Sequence, residues 1–294
     1  MPMHPVLRPV LIVALLFSAV LPLQAESLLQ EAWREYNYQN WHRADQIFSQ
    51  IIDESDIPDD VIQAKIGEAM IVHFKIPGGR PGKAIGMYEE ILQDVGPSHA
   101  VSPNLNLLMG RAYMALRKPD IASAKKHFEK ILTDNPGSIE AHEAALEMAY
   151  IKSYVHDYNY FMDAINFLQK YCTRYPENPL AGTMMGLCAN LALDLKEYEH
   201  ARSYLIAWDS IGVMNVRYKS AVVYQIARMS EEVLGDTATA ITYYQKLARE
   251  YESDNRLYFS QLRLKALGGE IPGEDIVSED LEMIAAEQEE TSDE

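Results

Sequence analysis

The apolar residues of this chain follow a helical pattern that recurs about every forty residues. In each copy, an Ala is followed four residues later by a large apolar side chain and three residues after that by another. Offsets of four and seven place side chains on one face of an α-helix, so each copy predicts an amphipathic helix. The small first residue lets a neighbouring helix approach closely. The six copies are Ala44/Phe48/Ile51, Ala84/Tyr88/Ile91, Ala124/Phe128/Ile131, Ala164/Leu168/Tyr171, Ala201/Leu205/Trp208 and Ala240/Tyr244/Leu247.

The spacing between the copies is nearly constant. Successive Ala positions lie 40, 40, 40, 37 and 39 residues apart. A fixed period of this size is typical of a solenoid, in which each unit buries its apolar face by stacking on its neighbours. Each unit then needs a first helix with a small residue, for which the candidates are Ala32, Gly67, Gly110, Ala145 or Ala149, Gly186 or Ala189, and Ala227.

The pattern resembles the tetratricopeptide-repeat (TPR) family. In that family the Ala, the large residue four positions on and a Pro twelve positions after the Ala mark the second helix of a helical hairpin. Ala124 with Pro136 and Ala164 with Pro176 reproduce this motif, although the period here is near 39 residues rather than 34. The resemblance implies an all-α fold, a right-handed α-solenoid of about six TPR-like hairpins over residues 26–268. A capping helix is expected from about Asp254, as its N-cap, to Leu267.

One insertion is rich in Pro and Gly and runs from Ile76 to Gly82. Its composition predicts a break between helices. Residues 78–84 superficially resemble a phosphate-binding loop, but the glycine spacing is one residue short and Ala84 stands where a hydroxyl is needed. We therefore expect a solvated loop. The alternative is a small anion site formed by Lys75, Arg80 and Lys83 at a helix N-terminus.

The N-terminus has the features of a secretory signal peptide. Arg8 precedes an apolar stretch that ends before Pro22, and Ala25 ends a segment compatible with signal-peptidase cleavage. Twelve apolar residues are too few to cross a bilayer, so cleavage after Ala25 is favoured over an uncleaved anchor. Residues 1–25 are therefore predicted to be a signal peptide and the protein to be exported, periplasmic or secreted, without stable membrane insertion afterwards.

The acidic residues are concentrated at the C-terminus. Residues 269–294 hold eleven of the 43 acidic residues and no Lys or Arg. This composition predicts a disordered acidic tail. The alternative is that its short apolar set forms a helix on a partner or docks on the last repeat. The formal net charge of −17 argues against nucleic acid as a partner.

No cofactor, metal site or catalytic residue is predicted. The eight His residues lack the i, i+4 pairing of a helical zinc site, and no nucleophile motif is present. Cys172 and Cys188 fall on consecutive predicted helices, where they are either buried core thiols or a disulfide.

The TPR resemblance implies a scaffold or adaptor of the bacterial cell envelope that binds a protein or peptide along its concave groove. Because the body of the chain is acidic, a neutral or basic partner is expected. The alternatives are a superhelical cell-wall glycan hydrolase, which would need a catalytic domain after the solenoid, and a small-ligand carrier. Aromatic and Arg side chains make good interface anchors. The first-helix residues expected to contact the partner are Trp33, Tyr36, Arg111, Met114, Tyr150 and Tyr154.

Overall fold

The computed structural model describes residues 27–75, 77–154, 157–212 and 216–272. In these ranges the chain forms thirteen α-helices and no strand. The predicted signal peptide and residues 273–294 of the predicted acidic tail lie outside the described residues.

The helices alternate between first and second members of successive hairpins, as the resemblance implied. The first helices are α1 (Leu28–Asn37), α3 (Pro58–Phe74), α5 (Ser102–Met114), α7 (Ile139–Ser153), α9 (Ala181–Asp194) and α11 (Val216–Glu232). The second helices are α2 (Trp41–Glu54), α4 (Pro81–Val95), α6 (Ile121–Asp134), α8 (Tyr158–Arg174), α10 (Tyr198–Ile211) and α12 (Thr237–Glu250). A thirteenth helix, α13 (Leu257–Ala266), follows them.

Each of the six predicted Ala patterns lies on a second helix. The Ala residue is fully buried in every copy, and the large residue four positions on is buried with it. The predicted small residues of the first helices are buried as well. The all-α, TPR-like solenoid is therefore confirmed, because the periodic positions are the ones that form the core between successive helices.

Polar side chains and prolines begin many of the helices. Ser27 and Gln30 form a reciprocal capping box at α1, and the Asp120 carboxylate accepts from the Ser123 backbone N–H at 3.0 Å at α6. Pro58 and Pro81 occupy the first turn of α3 and α4, where a missing backbone N–H costs nothing. The predicted break is consequently shorter than expected: α4 already begins at Pro81, so Pro81 and Gly82 are helical.

The chain divides into two compact units, with the boundary between Gly79 and Arg80. In the first unit, α2 packs against both α1 and α3. In the second unit, each helix from α4 to α13 packs against the next, and the first helices α5 and α7 also touch. The boundary lies in the Pro- and Gly-rich insertion, so it separates the two helices of the second predicted hairpin.

The capping helix is confirmed, but its start differs from the expectation. The N-cap of α13 is Arg256 rather than Asp254. Asp254 instead accepts from the Arg256 backbone N–H at 2.8 Å and pairs with the Arg256 guanidinium at 2.9 Å. The turn before α13 is therefore closed by the Asp254 carboxylate, two residues upstream of the cap. The helix ends at Ala266, with Leu267, the predicted last residue, as its C-cap.

No described helix combines the length and the apolar character needed to span a membrane.

Candidate protein-binding surface

The two predicted contact residues of the first unit lie on α1 and pack against its core. Tyr36 is 3% exposed, and its ring meets those of Trp33 and Trp41 edge-on. Trp33 is half-buried and also packs edge-on against Phe48 of α2, with ring centroids 5.1 Å apart. Tyr36 therefore contributes to packing, and only the outer part of the Trp33 ring is accessible.

The second unit contains the other four predicted contact residues. Two lie on α5, one lies on α7, and the fourth directly follows α7. Arg111 and Met114 are half-buried and one turn apart on α5. Tyr150 is half-buried near the end of α7, and Tyr154, just after that helix, is 57% exposed. The helices α5 and α7 contact each other, which brings the segments that carry these residues close together.

Arg111 joins the two helices through a pair of carboxylates on α7. Its guanidinium lies 2.7 Å from the Glu143 carboxylate and 2.9 Å from that of Glu147. Burial opposes the charge of Arg111, but the nearby carboxylates of Glu147 and Glu143 outweigh that effect and raise its pKa. The cluster carries two negative charges and one positive charge, so it is acidic.

The sequence analysis did not include the two glutamates among the contact residues, although their spacing indicates that they share a helix face with the two tyrosines. Glu143, Glu147, Tyr150 and Tyr154 are separated by four, three and four residues, which places them on one stripe of the helix. The opposite side of α7 is buried through residues such as Ala145 and Ala149. We use the term α5/α7 surface for Arg111, Met114, Glu143, Glu147, Tyr150 and Tyr154.

A cavity lies between the second helices α8 and α10 and has a volume of about 280 Å³. Its walls mix apolar side chains such as Met162 and Ile165 with polar ones such as His200. On one wall, the Gln169 side-chain amide donates to the Tyr204 hydroxyl at 2.9 Å. Ligand-binding pockets usually exceed roughly 300 Å³. The volume of this cavity lies just below that range.

The two cysteines are free thiols in the core formed by α8 and α9. Burial raises the pKa of Cys172, and it raises the pKa of Cys188 to about 12. Both thiols are therefore protonated at neutral pH and are poor nucleophiles. The Cys172 thiol points at the Met184 sulfur, 3.5 Å away. In the described part of the chain, no three His, Cys, Asp or Glu side chains are grouped so that they could hold a metal ion.

The comparison with protein families finds one repeat. Residues 221–253, which span most of α11 and all of α12, match the family model described as tetratricopeptide repeat. The matched residues are similar to one tetratricopeptide repeat, and the described helices share the TPR-like fold. The matched segment contains the last of the six Ala patterns.

Two solved structures share this TPR fold along most of their length. Pseudomonas aeruginosa PilF has a TM-score of 0.53 at 16% identity, covering 80% of this chain and 96% of that one. PilW, described as a widely conserved type IV pilus biogenesis factor, has a TM-score of 0.51 at 16% identity, covering 79% and 96%. No curated protein matches the sequence.

Proposed function

We propose that this protein is a binding scaffold that holds another protein or peptide on the α5/α7 surface. Stacked TPR-like hairpins create extended surfaces for partners. The observation that carries the proposal is the α7 stripe, in which an acidic pair lies directly beside two tyrosines, one of them largely exposed. Tyrosines bury much area with few rotatable bonds, so they suit an interface.

The partner on this surface is neutral or basic. Glu143 and Glu147 share the single Arg111, so a Lys or Arg side chain of the partner would find unneutralised carboxylate charge there. Both glutamates are about one fifth exposed, which keeps them accessible while reducing screening by solvent. An acidic peptide would meet like charge and be disfavoured.

We propose a binding protein rather than an enzyme. The thiols are held protonated by burial, and Arg111 forms ion pairs with both glutamates of the α5/α7 surface, which leaves one negative charge in excess. The cavity between α8 and α10, at about 280 Å³, lies just below the range of about 300–1,000 Å³ that is usual for small-molecule pockets.

We also propose that the protein works in the bacterial cell envelope. The predicted signal peptide supports export. PilW, a type IV pilus biogenesis factor, shares the fold, and this agrees with an envelope role without fixing the pathway.

Capture from an envelope extract tests the binding surface when it is combined with matched variants. Tyr150→Ala with Tyr154→Ala removes the aromatic part of the stripe. Tyr158→Ala with Tyr160→Ala, at exposed positions on α8, is the control for lost tyrosine area away from the stripe. We expect a captured protein to dissociate at least about tenfold faster from the first variant and at the parental rate from the control.

Charge specificity is tested by Glu143→Gln with Glu147→Gln, measured on the same captured partner. Affinity should fall, since the variant surface carries only the Arg111 charge. Unchanged dissociation from both the tyrosine and the glutamate variants would show that the partner binds elsewhere on the solenoid.

A further inference from the structure

Four cationic side chains lie at the start of α4 and in the turn between α5 and α6. Arg80 is the N-cap residue of α4 and Lys83 lies in its first turn, while Arg117 and Lys118 lie in the turn that follows α5. All four residues are exposed, and all of them belong to the second unit. We use the term basic patch for these four residues.

The two segments that carry the basic patch are in contact. A Cβ added at Gly82, in the first turn of α4, would lie 3.7 Å from the Leu116 side chain in the α5–α6 turn, which is an ordinary van der Waals distance. Each contacting residue has a cation as its direct chain neighbour: Lys83 follows Gly82, and Arg117 follows Leu116. The contact therefore brings the two pairs of cations close together.

The positive charge of the basic patch is not neutralised by carboxylates. In the described part of the chain, none of its four side chains forms an ion pair. Asp120, the acid nearest to the patch in sequence, caps α6 and accepts from the Ser123 backbone N–H at 3.0 Å and from the Ser123 hydroxyl at 2.8 Å. Even with the charge of Asp120 included, positive charge remains in clear excess here.

Cations elsewhere in the second unit are commonly neutralised. Ion pairs with carboxylates are formed by Arg111, Lys125, Lys130, Arg202, Arg228, Lys246, Arg256 and Arg263. In a chain with 43 acidic and 26 basic residues, a carboxylate is easily found as a partner for a cation. The basic patch is therefore a local exception to the charge of the whole chain.

The chemistry of the basic patch favours a partner segment that carries several carboxylates. Leu116 and Pro119, the apolar residues beside Arg117 and Lys118, are half-buried, so exposed charge dominates the contact surface. At physiological salt the Debye length is about 8 Å, which screens a narrow acidic segment from the more distant acids of this chain. An anionic bilayer fits less well, because a broad surface would also meet the acids that surround the patch.

We propose that the basic patch is a second interaction surface, which binds an acidic segment of a protein partner. Arg80 and Lys83 come from the loop that the sequence analysis considered as a small anion site, and the fold adds Arg117 and Lys118 to them. The basic patch selects the opposite charge to that favoured by the α5/α7 surface. The proposal therefore does not depend on binding at the α5/α7 surface.

Binding of a labelled acidic peptide to the full chain tests this surface. The probe is a short peptide in which Asp and Glu alternate with Gly and Ser, and fluorescence anisotropy at low salt measures its affinity. Arg117→Gln with Lys118→Gln should weaken binding about threefold to tenfold, since each exposed charge pair contributes modestly. Lys170→Gln with Lys265→Gln is the matched control, because it removes the same charge at exposed positions on α8 and α13, and it should keep nearly the parental affinity.

The other half of the basic patch should respond in the same way. Arg80→Gln with Lys83→Gln should weaken binding of the acidic peptide by a similar factor. No binding by the parent protein, parental affinity in both patch variants, or an equal loss in the control would overturn the proposal.

Two further measurements distinguish other occupants of the basic patch. Vesicles of phosphatidylglycerol that bind the parent but not the Arg117→Gln, Lys118→Gln variant, while peptide binding is the same in both, would make the patch a membrane-binding surface. Peptide binding seen only in a chain that lacks residues 273–294 would assign the patch to this chain's own acidic segment. Either result would show that the proposal is wrong.

Discussion

His142 is a polar side chain in the buried layer of α7. It is 6% exposed, its Nδ1 lies 3.0 Å from the Tyr171 hydroxyl, and its ring meets those of Tyr171 and Tyr175 edge-on. Burial lowers the pKa of His142, because the imidazolium form would lose its hydration without gaining a carboxylate partner. The neutral ring is therefore part of the folded state.

The stability of the second unit should fall as the pH drops below about 6.5. Unfolded His takes up a proton near that pH, whereas folded His142 does so only at lower pH, so the unfolded state binds more protons in between. Burial also lowers the pKa of His127, which adds to the same trend. His142→Gln should flatten the pH dependence of the unfolding temperature between pH 7 and pH 5. His200→Gln, at an exposed position, is the control, and an equal effect from both would contradict this assignment.

Pairs of helices approach closely where one of them carries a glycine. A Cβ added at Gly110 of α5 would lie 2.4 Å from the Phe128 ring of α6, and a Cβ added at Gly67 of α3 would lie equally close to Phe48 of α2. Both rings are fully buried, so a methyl group at either glycine would force the ring or the helix to shift. The glycines thus set the distance between the helices.

Gly110→Ala should destabilise the protein by about 1–3 kcal/mol, since the added methyl group overpacks a closed contact. Gly86→Ala is the matched control: Gly86 is also helical, on α4, and a Cβ there meets nothing within 4 Å. That change should be neutral or stabilising by up to about 1 kcal/mol, because Ala favours the helix. Denaturant unfolding of the two variants would measure the difference, and equal effects would show that the α5 to α6 contact is looser than described.

The molecule as a whole carries a formal charge of −17, with its densest acidic segment at the C-terminus. Such a field attracts a basic partner over a distance set by the Debye length, about 10 Å at 0.1 M salt and about 3 Å at 1 M. The aromatic contacts on the α5/α7 surface act only at close range. The two contributions therefore affect different steps of binding.

Association with a basic partner should slow several-fold when salt is raised from 0.1 M to 1 M, while dissociation changes much less. Replacing Glu287, Glu289 and Glu290 with Gln should lower the association rate in low salt alone. Stopped-flow or surface-based kinetics would check both effects. An association rate that does not depend on salt concentration would exclude electrostatic steering.

The sequence by itself determined the positions and the core faces of the second helices. The reason is local: side chains four and seven residues apart share a helix face wherever the helix lies, so the pattern around Ala124 or Ala164 is readable without knowing its neighbours. The end of α13 near Leu267 was equally readable. The N-cap of α13 at Arg256 could not be predicted in this way, because the Asp254 carboxylate closes the preceding turn instead of capping the helix.

Only the tertiary structure decided which side chains meet across helices. It joined Arg111 to two glutamates more than thirty residues away, buried Tyr36 among other rings and divided the chain at Gly79. These outcomes depend on the rotation and distance between packed helices, and those in turn depend on close contacts such as that of Gly110 with Phe128. A one-dimensional pattern specifies which face of a helix is buried, but the partner on that face is chosen by packing in three dimensions.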